Sequence, residues 1–212
     1  MPQTKSNTLS GDESIVLPEF DAPPADPIAL AQEWIASAKA RGVREPLAVS
    51  LATADAAGRP TMRVVLIKEL TAEGFVFTSH TGSRKGRDLK VNPFASVNFY
   101  WRETLQQITA AGRVISLPTE RSDELFAERS VAAQATTVVS TQSTPLFDED
   151  ELHARANELI EAGAPLPRPA GWGGYLLVPD EIQFWQGKTS RLHRRLIYTR
   201  TAGGWGSERL QP

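Results

Sequence analysis

The sequence predicts a mainly β domain with α-helical insertions, its strands closed into an antiparallel barrel. Two observations carry that expectation. Short segments rich in β-branched and aromatic residues recur between positions 47 and 117. Tight turns separate them, and strands so closely spaced favour an antiparallel barrel over a parallel sheet. The 212 residues suit one large domain with a core that needs no staples, and two small domains fit the length as well.

Residues 1–24 are rich in Ser, Thr, Asp and Pro, with Ile15-Val16-Leu17 as an apolar run. They read as a mobile arm able to order against a partner surface, ahead of a single domain over 25–212. The first helix opens at Asp26-Pro27, where Asp26 caps and Pro27 suits a first turn that needs no backbone N–H. Ile28, Ala31, Trp34, Ile35 and Ala38 recur at helical spacing until Gly42 stops the pattern. Strands are expected over 47–54 and 61–69, joined by the turn Asp55-Ala56-Ala57-Gly58. Glu73-Gly74 leads into a strand over 75–79, and two more follow at 95–101 and 106–117. Helices interrupt at 83–91, 118–129 and 148–161, the last opening with acids that suit the positive end of its dipole. Beyond the Pro/Gly-rich loop 164–174 lie strands over 175–178 and 181–185. A further candidate over 191–199 ends before Gly203-Gly204.

Composition removes several functions. The chain has no cysteine, which excludes disulfide scaffolds, thiolate metal sites and cysteine nucleophiles. A reducing compartment suits it. A formal net charge of −2 argues against a general nucleic-acid or membrane-surface binder. No apolar run approaches the ~20 residues of a membrane span. Residues 1–19 hold no apolar signal core, so a cytoplasmic location is expected. His80 and His153 have no metal-ligand spacing, and no metal is expected. Dinucleotide-fold, P-loop and nucleophile-elbow patterns are absent.

Chemistry concentrates in three basic stretches. In His80-Thr81-Gly82-Ser83-Arg84-Lys85-Gly86-Arg87, Ser83 caps a helix and three cations fill its first turns. The dipole disfavours cations at that end, whereas a bound anion reverses the sign. Two readings stay open here, a phosphate site and a solvated basic turn. In Arg63-Val64-Val65-Leu66-Ile67-Lys68, strict alternation puts Arg63 and Lys68 on opposite faces. They share a site only if the strand bulges or one of them points past an open end; otherwise both are rim charges. Residues 187–200 carry five Lys or Arg and no acid. Arg191, His193 and Arg195 share one face there if extended, which reads as an anion field or as a charge-guarded edge strand. Together these clusters suit a phosphorylated planar ligand.

The same stretches resemble the pyridoxamine 5′-phosphate oxidase family of FMN flavoproteins. The likeness runs through Ala25-Asp26-Pro27 with Trp34, Arg63 to Lys68, Gly82-Ser83-Arg84-Lys85, Asn92-Pro93 and Gln142-Ser143. It continues through Pro165-Leu166-Pro167, Trp172-Gly173-Gly174-Tyr175, Ile182 to Gly187, Arg191-Leu192-His193 and Arg209-Leu210. Within the family, Arg44-Glu45-Pro46, Leu51-Ala52-Thr53-Ala54-Asp55 and Tyr100-Trp101-Arg102-Glu103-Thr104 look most like its phenazine-biosynthesis branch.

The resemblance implies an FMN-binding split β-barrel, a homodimer with FMN at the interface. Arg63, Arg84 and Lys85 would hold the FMN phosphate. Val64, Val65, Leu66, Ile67 and Lys68, with Thr78 and Ser79, would line the flavin. Gln107, Gln142, Ser143, Trp185 and Arg195 would complete the site, some from the other subunit. Arg191 and His193 are the implied catalytic pair, facing substrate, with Lys68 and Arg129 as further substrate contacts. In the pyridoxal-forming enzymes four side chains grip the substrate phosphate, at positions corresponding to Lys68, Leu125, Arg129 and Ala133. Leu125 and Ala133 have no hydroxyl to donate, and each lost hydrogen bond to a charged group weakens binding by roughly 1.5–3 kcal/mol. The implied activity is oxidation of a partly reduced phenazine carboxylate, a small aromatic acid, with O2 as final acceptor. A pyridoxamine/pyridoxine 5′-phosphate oxidase and a non-catalytic flavin-binding protein are the alternatives.

Overall fold

A computed structural model describes residues 9–212. Helix α1 (Pro27–Ala40) begins as its sequence dictates. Asp26 Oδ1 accepts from the backbone N–H of Ile28 at 2.8 Å and of Ala29 at 3.2 Å. Its face of Ile28, Ala31, Trp34, Ile35 and Ala38 is buried in the main core. Trp34 meets Phe184 edge-on with ring centroids 5.0 Å apart. Of the expected arm, residues 1–8 lie outside the described residues. Ile15, Leu17 and Phe20 are buried in the same core. The Phe20 ring takes the guanidinium groups of Arg194 and Arg209 at 4.7 and 5.4 Å from its centroid.

Among the described residues nine strands form one sheet. They are β1 (Ala48–Ala54), β2 (Pro60–Leu66), β3 (Glu69–Leu70), β4 (Phe75–His80), β5 (Phe94–Trp101), β6 (Gln106–Ser116), β7 (Trp172–Gln186), β8 (Arg194–Thr201) and β9 (Gly204–Leu210). The order is β2-β1-β5-β6-β7-β4-β3, with β8 and then β9 branching from β7. Every pairing is antiparallel.

The expected barrel, split or otherwise, does not form. The sheet is open: its path ends at β2 and β3, and no ladder joins them. The cause lies in β7. One edge pairs with β6, while β4 takes residues 172–177 of the other edge and β8 takes 181–186. The sheet therefore forks at β7 rather than curling onto itself. β3, with two residues, is too short to bridge the gap. The fold is a mixed one of α-helices packed on an open sheet.

β7 also merges what the sequence suggested were two strands. Pro179 sits inside it opposite Gly112, where the register shifts between Ala111 and Gly112. Proline lacks a ladder donor, and the bulge absorbs it. A Cβ on Gly112 would lie 2.1 Å from the Val178 carbonyl oxygen, so only glycine fits. Helices α2 (Arg84–Val91), α3 (Thr119–Ala127) and α5 (Glu149–Ala162) fall close to expectation. Helix α4 (Val131–Val139) was not foreseen. Its Thr and Val residues are poor helix formers, but Ser130 Oγ caps it by accepting from Ala133 N–H at 3.3 Å.

Candidate active site

A cavity of 880 Å³ is lined by Arg63, Val64, Val65 and Leu66 of β2, by Lys68, and by Thr78, Ser79 and His80 of β4. Lys85 of α2, Ser140, Gln142, Trp172 and the segment carrying Glu128, Arg129, Ser130, Ala133, Thr136 and Thr137 complete it. Arg63 and Lys68 both line this cavity, and the chain changes partner between them. Ile67 N–H donates to Leu47 O of the β1 side at 2.9 Å, and Lys68 N–H donates to Val76 O of β4 at 2.8 Å. The alternation of exposure runs on through the switch, with Arg63, Val65 and Ile67 on the less exposed side and Val64, Leu66 and Lys68 on the other. Ile67 itself turns into the core and does not line the cavity.

The basic helix start lies beside this cavity. Ser83 Oγ accepts from Gly86 N–H at 3.3 Å and caps α2. Lys85 Nζ is buried, donating to Gln142 Oε1 at 3.1 Å and Ser83 Oγ at 3.3 Å. Among the described residues it forms no ion pair. Burial, and then the nearby Arg63, bring its pKa down to about 8. A buried cation without a counter-ion is costly unless an anion is meant to sit beside it. Arg63 is anchored by Nη1 to Leu51 O at 3.2 Å and Thr53 Oγ1 at 2.7 Å, and by Nη2 to Thr61 Oγ1 at 2.7 Å.

Arg84 faces elsewhere. Its side chain borders a separate cavity of 420 Å³ with Arg59 and Arg87. Its Nε lies 3.0 Å from Asp88 Oδ1, and its Nη2 lies 3.6 Å from Asp55 Oδ2. Its backbone N–H donates to Ser143 Oγ at 3.2 Å. Ser143 adopts a left-handed backbone with φ of 70°.

Arg129 donates through Nη2 to Ala133 O at 2.8 Å and Thr137 Oγ1 at 2.9 Å, and stacks over Trp172 at 5.1 Å. Its Nε is buried with no partner. Ala133 lines the cavity. Leu125 does not; it packs with Phe126, Trp172, Val76 and Leu176 in a second core under α3. His80, to which the sequence assigns no role, also lines the cavity. Burial, Lys85 and Arg129 lower its pKa, so it is neutral at pH 7. Its place directly before the basic turn was the available signal.

The remaining candidates form a second group at the β7–β8 turn. Gln107, Trp185 and Arg195 are register neighbours across three strands. Arg195 Nη2 donates to Gln183 Oε1 at 3.0 Å. The His193 ring lies 4.9 Å from that of Trp185. His193 Nδ1 accepts from Lys188 N–H at 3.0 Å, which puts the proton of the neutral ring on Nε2. Burial, then Arg191, lowers its pKa. Arg191 holds a left-handed φ of 69°, a strain of about 1–3 kcal/mol of the kind stored at functional sites. Glu13 ties the turn down, its carboxylate accepting from Thr189 N–H at 2.9 Å and Thr189 Oγ1 at 3.0 Å. None of this second group lines the 880 Å³ cavity.

Residues 36–162 match the family model described as pyridoxamine 5′-phosphate oxidase. The chain belongs to that family. Residues 172–212 match the family's pyridoxine 5′-phosphate oxidase C-terminal dimerisation region. The chain is 43% identical over 207 residues to a dihydrophenazinedicarboxylate synthase of Pseudomonas chlororaphis, covering 98% of this chain and 93% of that protein. It is 45% identical over 200 residues to a pyridoxine/pyridoxamine 5′-phosphate oxidase of Burkholderia multivorans, covering 92% and 93%. The crystal structure of PhzG from Burkholderia lata in complex with tetrahydrophenazine-1-carboxylic acid superposes with a TM-score of 0.93 at 42% identity, covering 95% of this chain and all of that one. The protein is an FMN-dependent oxidoreductase.

The residues present fit FMN. A phosphate monoester needs cations and donors in one place, and the cavity offers Lys85 with no carboxylate partner, Arg63 and Gln142. A planar ring needs an apolar wall, and Val64, Val65 and Leu66 supply one along β2, which among the described residues pairs only with β1.

Proposed function

We propose that this protein oxidises a dihydro- or tetrahydro-phenazine carboxylate to a more aromatic phenazine, with O2 as final electron acceptor. The observation that carries this reading is the wall around Arg129. There Ala133 presents a methyl group at the position where the resemblance to the vitamin B6 phosphate oxidases implies a phosphate-gripping hydroxyl. Arg129 and Lys68 suffice for a carboxylate, which has two oxygens to satisfy. The crystal structure of the Burkholderia lata relative with tetrahydrophenazine-1-carboxylic acid supports the same substrate class.

FMN, when bound, supplies two-electron acceptance and hands the electrons to O2, giving hydrogen peroxide. Arg63, Lys85, Gln142 and Ser143 hold its phosphate end, and Arg84 contributes its backbone at the start of α2. Val64 to Leu66, Thr78 and Ser79 shape the ring pocket, with Ile67 packed behind them in the core. The second group, Gln107, Trp185 and Arg195, completes the site from the other subunit of a homodimer, which accounts for its distance from the cavity wall in one chain. Arg191 and His193 face the substrate. His193 positions rather than deprotonates: its Nδ1 is occupied and its pKa is lowered, so it serves as a donor through Nε2–H. The substrate gains aromaticity as it loses hydrogen, which removes the need for a strong protein base. The lack of cysteine suits the reducing cytoplasm, where we place the protein.

Anaerobic mixing of the FMN-loaded protein with freshly reduced phenazine carboxylate is expected to bleach the flavin, and air to restore it. Equally fast bleaching by pyridoxine 5′-phosphate would overturn the substrate assignment.

A further inference from the structure

Asp88 lies on α2 with its side chain 4% exposed. Its Oδ2 accepts from Thr53 Oγ1 at 2.8 Å and from Thr61 Oγ1 at 3.0 Å. Its Oδ1 accepts from Arg84 Nε at 3.0 Å. Thr53 of β1 and Thr61 of β2 are direct register partners, so their hydroxyls stand side by side, 3.3 Å apart. Each hydroxyl gives its one proton to Asp88 and is left with lone pairs facing Arg63. Thr53 Oγ1 then accepts from Arg63 Nη1, and Thr61 Oγ1 from Nη2, each at 2.7 Å.

We propose that Asp88 is the positioning residue of the phosphate grip, aiming Arg63 into the cavity through Thr53 and Thr61 while holding Arg84 out of it. The proposal rests on the reading that Arg63 and Lys85 receive the FMN phosphate. Asp88 does not reach the cavity wall, and its negative charge opposes an anion bound there. Its direct pairing with Arg63, Oδ2 to Nη2, is long at 3.9 Å, and its main contribution is directional, through the two shorter hydroxyl bridges. Without a carboxylate behind them, the two hydroxyls are free to donate to one another, and a hydroxyl proton turned toward the guanidinium repels it. Burial pushes the Asp88 carboxyl pKa up, but the hydrogen bonds from Thr53, Thr61 and Arg84 outweigh it and hold the group ionised. An asparagine cannot replace it. With one acceptor oxygen, its NH2 must face either Arg84 Nε or the two threonine hydroxyls.

The sign of the effect separates this role from bulk electrostatics. Removing a negative charge near an anion site should tighten FMN binding if charge alone matters. Positioning requires Asp88→Asn to weaken it. The test is fluorescence titration of the apo-protein with FMN and with riboflavin, which shares the ring and lacks the phosphate. Asp88→Asn and the near-isosteric, charge-neutral Thr53→Val are each expected to weaken FMN about tenfold or more and to leave riboflavin within about twofold. FMN affinity unchanged or tighter in Asp88→Asn would overturn the proposal. So would an equal loss for both flavins, because Asp88 would then merely support packing. Should the unaltered protein bind riboflavin as tightly as FMN, the phosphate site itself would fall, and the proposal with it. A clear preference for FMN that Asp88→Asn fully retains would reject Asp88 alone.

Discussion

Raising the pH through 8 is expected to weaken FMN binding, and Lys85 is the reason. Its pKa is held at about 8 against an ordinary 10.5 by burial and by Arg63. A phosphate monoester is already a dianion above about pH 6. Bound beside Lys85, it supplies the missing counter-charge and returns the pKa towards its ordinary value. Below pH 8 the free and bound forms both carry the ammonium, so pH has no effect through this group. Above pH 8 the free protein loses the proton, and binding must restore it. Affinity then falls about tenfold per pH unit. The limit is set by 10.5 minus 8, or 2.5 units, which amounts to about 3 kcal/mol, a few hundred-fold. Stability of the FMN-free protein moves the other way. A lysine whose folded pKa is depressed costs stability while charged, and that cost is lifted as pH rises from 8 to 10.5. His80 does not interfere, because its pKa is lowered from 6.5. The assay is flavin fluorescence titration from about pH 7 to about pH 9.5, with riboflavin in parallel to cancel ionisation of the ring. Lys85→Met should be flat over that range. A level FMN affinity in the unaltered protein, or the same slope in Lys85→Met, would refute the reasoning.

Other perturbations test the remaining parts. Ala133→Ser places a hydroxyl in the wall near Arg129, and should lower KM for pyridoxine 5′-phosphate by about tenfold; an unmoved KM counts against the pocket assignment. Leu125→Tyr lies in a packed core, and thermal melting should show a loss of about 1–3 kcal/mol from overpacking rather than a gain in phosphate affinity. Glu13→Gln loosens the turn carrying Arg191 and His193; steady-state kinetics should show KM for the phenazine substrate rising about threefold with kcat and FMN affinity unchanged. Arg84→Ala removes a side chain bound to Asp88 and Asp55 outside the main cavity, so its effect on FMN affinity should stay below that of Lys85→Met in the same titration.

Much of this was legible in the chain, and what was not has identifiable causes. Asp26-Pro27 and Ser83 are local caps whose geometry depends on neighbours one turn away, and the helices begin where they say. The two cations that share a helix start in the sequence part company in the structure, Lys85 lining the 880 Å³ cavity and Arg84 lying outside it. Arg84 is turned aside by Asp55 and Asp88, and only the fold brings Asp55 to it. Closure of the sheet was misread because it depends on how β4 and β8 share one edge of β7, a pairing between residues about 100 apart for β4. Arg63 and Lys68 line one cavity without the bulge that the sequence made a condition: the β1–β2 register runs unbroken to Leu66, and the chain changes partner only at Lys68. Helix α4 was hidden by its Val and Thr content, and with it went Thr136 and Thr137 of the cavity wall.

A net charge of −2 says little about this site, whereas the pairing of each cation says much. Arg121 is held by Glu69, Glu124 and Glu128, Arg168 by Asp123, and Arg194 and Arg209 by Asp21. Exposed pairs of this kind contribute about 0–1 kcal/mol each, and their carboxylates leave them little pull on a ligand. Lys85 and Arg129 differ: among the described residues neither forms an ion pair, and both line the same cavity. Overall likeness does not choose between a phenazine carboxylate and a vitamin B6 phosphate, because relatives acting under both names match this chain about equally well. The choice falls on how many ligand oxygens the wall can satisfy. A phosphate against Arg129 finds no donor in the Ala133 side chain, which leaves Ser130, Thr136 and Thr137 as the hydroxyls of that wall. In the proposed reading a carboxylate, with only two oxygens, is met by the Arg129 guanidinium and Lys68, both of which line the cavity.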